Sequence, residues 1–274
     1  MIQLHSSTPG LQHHFNFTLH TSPGSSIIKM IFWLLLAVFI CVKDVAATFT
    51  PTNGAALKAA VAACLKETPS DGSCPLFAAS NSNGMLGEWK TDAVKDMSDV
   101  FYKSDSFNGD VSHWNVGAAT NMNGMFDGAT RFNSDISKWS LSRVTNMHYL
   151  FHDANSFNAD ISSWNVGAVT SLDGMFFQAS VFNSDISKWD TSSVNSMDRT
   201  FYQAFMFNAD VSKWNTAAVN SMQTTFYEAE AFNADLSKWQ ISAVTDLQFT
   251  FGRATRFNGD ISKWSIGKVT AINR

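Results

Sequence analysis

The sequence predicts an α/β solenoid. It is read as a right-handed stack of 25-residue coils, each holding one short strand and one short helix, closed at its N-terminal end by a capping helix. Three observations carry this. Eight tryptophans, Trp89, Trp114, Trp139, Trp164, Trp189, Trp214, Trp239 and Trp264, stand 25 residues apart with no insertion or deletion between them. Within each interval the apolar residues mix a period of two with a period of three to four. An Ala- and Leu-rich stretch with one apolar face precedes the first interval.

Taken in order, residues 1–29 are polar, rich in Ser and His and without a structural period. Residues 30–47 read as a signal peptide. The run MIFWLLLAVFICV is about 13 residues, short for a membrane span but right for the apolar region of a leader. The Val45-Ala46-Ala47 end suits cleavage after Ala47. Translation is expected to start at Met30, with residues 1–29 an artefact of the gene model; the alternative is a signal anchor with a short cytoplasmic tail. Either way the repeats are expected outside the cytoplasm, secreted or on the cell surface. Asn16-Phe17-Thr18 is a glycosylation sequon but precedes the leader, and the repeats contain none.

Residues 48–83 read as a cap. In AALKAAVAACLKE, residues 55–67, Leu57, Val61, Cys64 and Leu65 fall on one helical face. Thr52-Asn53-Gly54 supplies start signals and Pro69-Ser70-Asp71-Gly72 a stop and a turn. Such a helix would cover the apolar edge of the first coil. Of the three cysteines, Cys41 lies in the leader, while Cys64 and Cys74 remain after its removal. They fit one disulfide in an oxidising compartment; two free buried thiols are the alternative.

Residues 84–274 hold about seven and a half coils. In the coil Phe132 to Ser156, Trp139 and Leu141 alternate like a strand, and Met147, Leu150, Phe151 and Ala154 step like one face of a two-turn helix. Thr145 or Asn146 is placed to cap that helix. Ile136-x-x-Trp139-x-Leu141 has the L-x-x-L-x-L spacing of a leucine-rich repeat. The Trp row is therefore expected in the core.

On these residues the chain resembles the BspA-like leucine-rich repeat surface proteins, in the 25-residue form found in mycoplasma lipoproteins. The shared pattern, VT-N-M-x-x-MF-x-x-A-x-x-FN-x-D-I-S-x-W-(N/D)-V, stands here as Ala119-Thr120-Asn121-Met122-Asn123-Gly124-Met125-Phe126 followed by Phe132-Asn133-Ser134-Asp135-Ile136-Ser137-Lys138-Trp139. The resemblance covers about residues 84–274. It implies secretion or surface display with adhesion or protein binding, and it carries over no catalytic residue.

Each repeated residue forms a column along the stack. The Asn column, Asn108 to Asn258, is expected to satisfy loop amides. The Asp column, Asp110 to Asp260, needs an answer to its own repulsion. Turn amides and the Ser two residues on would supply it, with calcium as the sharper alternative. The residues flanking each Trp are expected to point outward on a concave strand face. His113, Asn115, Lys138, Lys188, Lys213, Asn215, Lys238, Gln240 and Lys263 are the candidate binding residues there. His148 and His152 stand four apart on the expected helix. Their HYLFH lacks the Glu of H-E-x-x-H and recurs in no other coil, so neither a metal site nor a cofactor is expected.

The net charge of −4 argues against a nucleic-acid partner. The expected function is a non-catalytic binding or adhesion module for an extracellular protein or glycan. Alternatives are a polysaccharide-active enzyme of the β-helix kind, for which no singular acid–base cluster stands out, and an ice- or mineral-surface binder, for which the outward positions are too mixed. The final coil lacks a cap, so that end is expected either to self-associate or to continue beyond residue 274.

Overall fold

The computed structural model describes residues 48–81 and 84–272, all within one compact unit. The expected N-terminal extension, leader, cleavage point and start at Met30 lie outside the described residues. Among the described residues, no helix is long and apolar enough to cross a membrane.

Helix α1, Gly54–Glu67, begins at Asn53, whose Oδ1 accepts from the Ala56 amide at 3.0 Å. It buries Leu57, Ala60, Val61 and Cys64. Gly54 is set by a close approach: a Cβ there would sit 2.1 Å from the Asp96 carbonyl oxygen of the first coil. Cys64 is joined to Cys74 in a disulfide, with Cα atoms 4.9 Å apart. A second helix, α2, Pro75–Asn81, follows directly. Its first amides, Leu76 and Phe77, donate to the Glu67 carboxylate at 2.9 and 2.8 Å. Phe49 and Phe77 lie 4.8 and 5.6 Å from Trp89, so aromatic rings close the end of the Trp row.

Beyond a single 3-10 turn, Leu86–Glu88, the chain runs in successive 25-residue coils made of turns. In the coil 132–156, i→i+3 bonds join Trp139 N to Ile136 O, Val144 N to Leu141 O, Leu150 N to Met147 O, His152 N to Tyr149 O and Ala154 N to Phe151 O, all at 2.9–3.2 Å. The expected helix over Met147 to Ala154 is not formed. Tyr149 and Asp153 both have φ of +53°, and a left-handed residue at every fourth position interrupts an α-helix. The amides of Tyr149, Phe151 and Asp153 instead donate to the carbonyls of Asp173, Met175 and Phe177, 24 residues on, at 2.8–3.0 Å. The four residues read as a helical stripe are nonetheless fully buried. Turns that alternate left- and right-handed conformations bring the same side chains inward, and they leave every second amide for the neighbouring coil.

The expected strand at Trp139 and Leu141 is also absent. The Trp139 amide is used inside its own coil, so it cannot join a ladder. The link to the previous coil is made by the indole, whose Nε1 donates to the Val111 carbonyl at 3.2 Å. The same bond recurs from Trp114 to Trp264 at 2.9–3.2 Å. Strand-like pairing is confined to one residue per coil: parallel bridges run Asp96, Asn121, Asn146, Ser171, Ser196, Ser221, Asp246, Ala271. The hydrogen-bonded side of each coil is therefore the segment read as a helix.

The core is three columns of rings. Trp89 to Trp239 are 1–4% exposed, with neighbours such as Trp189 and Trp214 stacked at 6.2 Å. Phe101, Phe126, Phe151, Phe176, Phe201, Phe226 and Phe251 form a second column at 5.2–5.8 Å. Each also stacks on the Phe six residues later, 3.7–4.2 Å away. These later residues, Phe107 to Phe257, are the third column.

Candidate functional site

The nine residues expected to bind are all exposed. His113 and the five lysines sit on turns and Asn115, Asn215 and Gln240 in irregular segments, so no strand carries them. His113 Nδ1 lies 3.2 Å from Ser112 Oγ, and Asn115 Nδ2 donates to Asp92 Oδ1 at 2.6 Å. Both border an open cleft of about 850 Å³ between the first coil and the loop holding Asp71 and Ser73. Asn215 Oδ1 accepts the Ala217 amide at 3.1 Å, and the Gln240 amide donates to Thr216 Oγ1 at 2.8 Å. Lys138, Lys188, Lys213, Lys238 and Lys263 form a row in which none makes an ion pair among the described residues. A second cleft, apolar and about 620 Å³, lies between Leu247, Phe249, Ile261, Trp264, Ile266 and Ile272.

The two polar columns answer their own needs locally. Each Asn Oδ1 from Asn108 to Asn233 accepts the amide of the Asn one coil on, at 2.7–2.8 Å. Each Asp from Asp110 to Asp260 accepts the amide of the Ser two residues on, at 2.8–2.9 Å. These serine hydrogen bonds hold all seven carboxyls below the usual Asp range. Among the described residues no group of three or more His, Cys, Asp or Glu is arranged to hold a metal ion.

The sequence singled out His148 and His152 only as a metal-ligand spacing; they belong to a larger surface on the hydrogen-bonded side. Four positions per coil face outward there, those of His148, Tyr149, His152 and Asp153. The signal was present in the sequence: these positions change from coil to coil while the core and the Asn, Asp and Trp columns repeat. His152, Phe177, Tyr202 and Tyr227 form a half-buried aromatic column with centroids 4.7, 4.5 and 4.8 Å apart. The column ends at Gly252, and there the Arg253 guanidinium lies 5.9 Å from the Tyr227 ring. Arg253 Nη1 also donates to Glu228 Oε1 at 2.7 Å, and Gln203 Nε2 donates to Glu228 Oε2 at 2.6 Å. Tyr149 leans over Gly174, where φ is +60° and a Cβ would lie 2.3 Å from the ring; this glycine makes room for the tyrosine.

Beside the aromatic column stand Asp173 and Asp198. Asp173 Oδ1 accepts the Ser196 hydroxyl and the Asp198 amide. Asp198 Oδ1 accepts the Ser221 hydroxyl and the Gln223 amide. Burial, with the charges of Asp173 and Asp246, pushes the Asp198 carboxyl up in spite of those bonds.

The expected pairing of His148 and His152 on one helix face falls with the helix. His152 Nδ1 is 2.8 Å from Asp127 Oδ1 of the preceding coil, and its Nε2 is 3.7 Å from Asp153. Burial would lower its pKa, but the hydrogen bond and charge of Asp127, with the charge of Asp153, outweigh this and raise it above 6.5. The protonated ring therefore stabilises the fold. That contribution is complete below the unfolded value near 6.5 and is lost as the pH rises through the folded value. The stability difference between the protein and a His152→Gln variant should accordingly grow as the pH falls from about 8 to about 6. A constant difference in urea midpoints would show that the ring does not titrate in this way.

No curated protein and no solved structure matches the chain. One family does, over residues 74–187 and again over 170–274. The two matches tile the coils and take in α2 and the second cysteine of the cap. The chain belongs to the family described as Mycoplasma protein of unknown function, DUF285.

Proposed function

We propose that the chain is a secreted or surface-displayed, non-catalytic binding module, built as a solenoid of 25-residue coils and akin to the BspA-like surface proteins. Its ligand is an extracellular protein or glycan. One observation supports this reading above the others. The buried and turn-forming positions repeat from coil to coil, whereas the outward positions from His148 to Arg253 vary along the stack, as in His152, Phe177, Tyr202 and Gly252 at one of them and Tyr149, Gly174, Arg199 and Thr224 at another. Such a face holds rigid aromatic side chains beside polar ones, the composition that interface hot spots favour. The Lys row on the turns beside the Trp column, interrupted by Ser163, is a second exposed surface.

A surface-resonance panel of immobilised matrix proteins and glycans tests both faces. The expected result is capture of at least one panel member, weakened at least about tenfold by Tyr202→Leu with Tyr227→Leu. The triple change Lys213→Glu, Lys238→Glu and Lys263→Glu should leave that capture nearly unchanged. The opposite pattern would move the site to the Lys row. Absence of capture across the panel would overturn the reading.

A further inference from the structure

The face that carries the aromatic column is unequal in charge. Of its acids between His148 and Arg253, Glu228 is paired with Arg253. Asp173 and Asp198 have only hydroxyl and amide partners, and Asp153 stands beside His152 at 3.7 Å. Against these three carboxyls, of which burial pushes Asp198 up, the face sets Arg199 and His152. The rings are stacked on one another through Phe177, Tyr202 and Tyr227, with interplanar angles of 8° and 14°. They therefore offer their edges outward, and a ligand's own flat ring finds no open face within the column. Aliphatic stems can lie across those edges.

At two places where the next coil puts no ring over a tyrosine, a cation lies over the ring face instead. Where the stack ends at Gly252, a guanidinium occupies the open side of Tyr227 at 5.9 Å. On Tyr102, at the same position in an earlier coil, the Lys103 ammonium lies 5.1 Å from the ring centroid. Both positions place a cation at a tyrosine, and in the first the cation also ends on a carboxylate of the adjoining row.

We propose that the face from His152 to Tyr227 takes an extended basic peptide segment of a partner protein. Its Lys or Arg stems lie over the ring edges, and their charged ends reach the carboxylates of Asp153, Asp173 and Asp198. The three steps of the column, each 4.5–4.8 Å, match about four residues of extended chain at roughly 3.3 Å per residue. This inference rests on the binding-module reading and names the chemistry of its partner.

Fluorescence anisotropy of the full chain with a labelled octapeptide of alternating Lys and Ser tests it, with the matching Glu/Ser peptide as reference. The Lys peptide should bind and the Glu peptide should not, and raised salt should weaken the binding. Asp173→Asn with Asp198→Asn should weaken it roughly five- to tenfold, as should Tyr202→Leu. Asp210→Asn with Asp235→Asn, in the uniform Asp column, should leave it unchanged. Equal weakening by that control pair would reduce the effect to diffuse negative charge and overturn the proposal. So would absence of Lys-peptide binding. Concentration-dependent self-association abolished by Lys213→Glu, Lys238→Glu and Lys263→Glu would also overturn it, by placing a second copy on the face. A chain that captures a matrix component through Tyr202 and Tyr227 yet ignores the Lys peptide would overturn this inference alone and leave the binding-module reading standing.

Discussion

Replacing Phe176 by alanine should lower unfolding stability by about 3–5 kcal/mol, near the upper end for a single core residue. Phe176 is fully buried. It stacks on Phe182 at 3.8 Å within its coil, on Phe151 at 5.8 Å and Phe201 at 5.7 Å in the two adjoining coils, and on Trp189 at 6.3 Å. Its removal leaves a cavity walled by the rings of three coils, whose backbones are tied to one another by amide bonds and so poorly able to close in. The same change at Phe251 should cost well under that, because Phe251 is only partly buried although it stacks on Phe226 and Phe257 in the same manner. Guanidinium denaturation of the two variants checks the ordering. Equal losses would mean that contact with both neighbouring coils is not what makes the ring valuable.

Removing the disulfide through Cys64→Ala with Cys74→Ala should cost about 3 kcal/mol, the chain-entropy value for a short closed loop. The bond fastens α1 to the loop that leads into α2, and both sulfurs are buried under the first coil. The loss should therefore be local before it is global. In native-state hydrogen exchange, the amides of Asp99 and Phe101, which donate to the second coil, should lose protection well before those of Gly174 and Phe176 in the middle of the stack. A uniform loss of protection along all coils, or none, would contradict the capping role.

Which residues face inward was legible in the sequence, but how the backbone places them was not. The period of 25 put the tryptophans in register, and their inward position followed from the alternation with Leu141 and its equivalents. The spacing of Met147, Leu150, Phe151 and Ala154 is that of a helix face, and nothing in apolar spacing distinguishes it from a run of turns that alternate in handedness. The deciding residues, Tyr149, Asp153, Arg199 and Gln203, are ordinary side chains at positive φ, where sequence rules look for glycine. They are held there by hydrogen bonds to the next coil, a tertiary cause that no local pattern records. The second cap helix was missed for a simpler reason. Pro75 stands at its first position and is a usual helix start, but the segment after the Pro69–Gly72 stop was read as a loop leading to the first coil.

The candidate site divides in the same way. The exposure of Lys138 and its equivalents follows from their place beside the Trp column. The aromatic column from His152 to Tyr227 was hidden because its members were assigned to the outer face of separate helices. Helices so placed would not bring Phe177 and Tyr202 to 4.5 Å. Only with the helices replaced by hydrogen-bonded turns do coil-to-coil differences become a continuous surface.

The fixed offset of the coil-to-coil amide bonds bears on how such a chain can change length. Gly124, Phe126 and Gly128 meet the carbonyls of His148, Leu150 and His152, and Gly174, Phe176 and Gln178 meet those of Asp198, Thr200 and Tyr202, always 24 residues on. One residue added within a coil would shift every later partner by one place and turn inward side chains out. A whole coil gained or lost would leave each donor facing the same kind of acceptor. The protein can thus be lengthened or shortened only in units of 25, and each added unit brings four new outward positions that the core does not constrain.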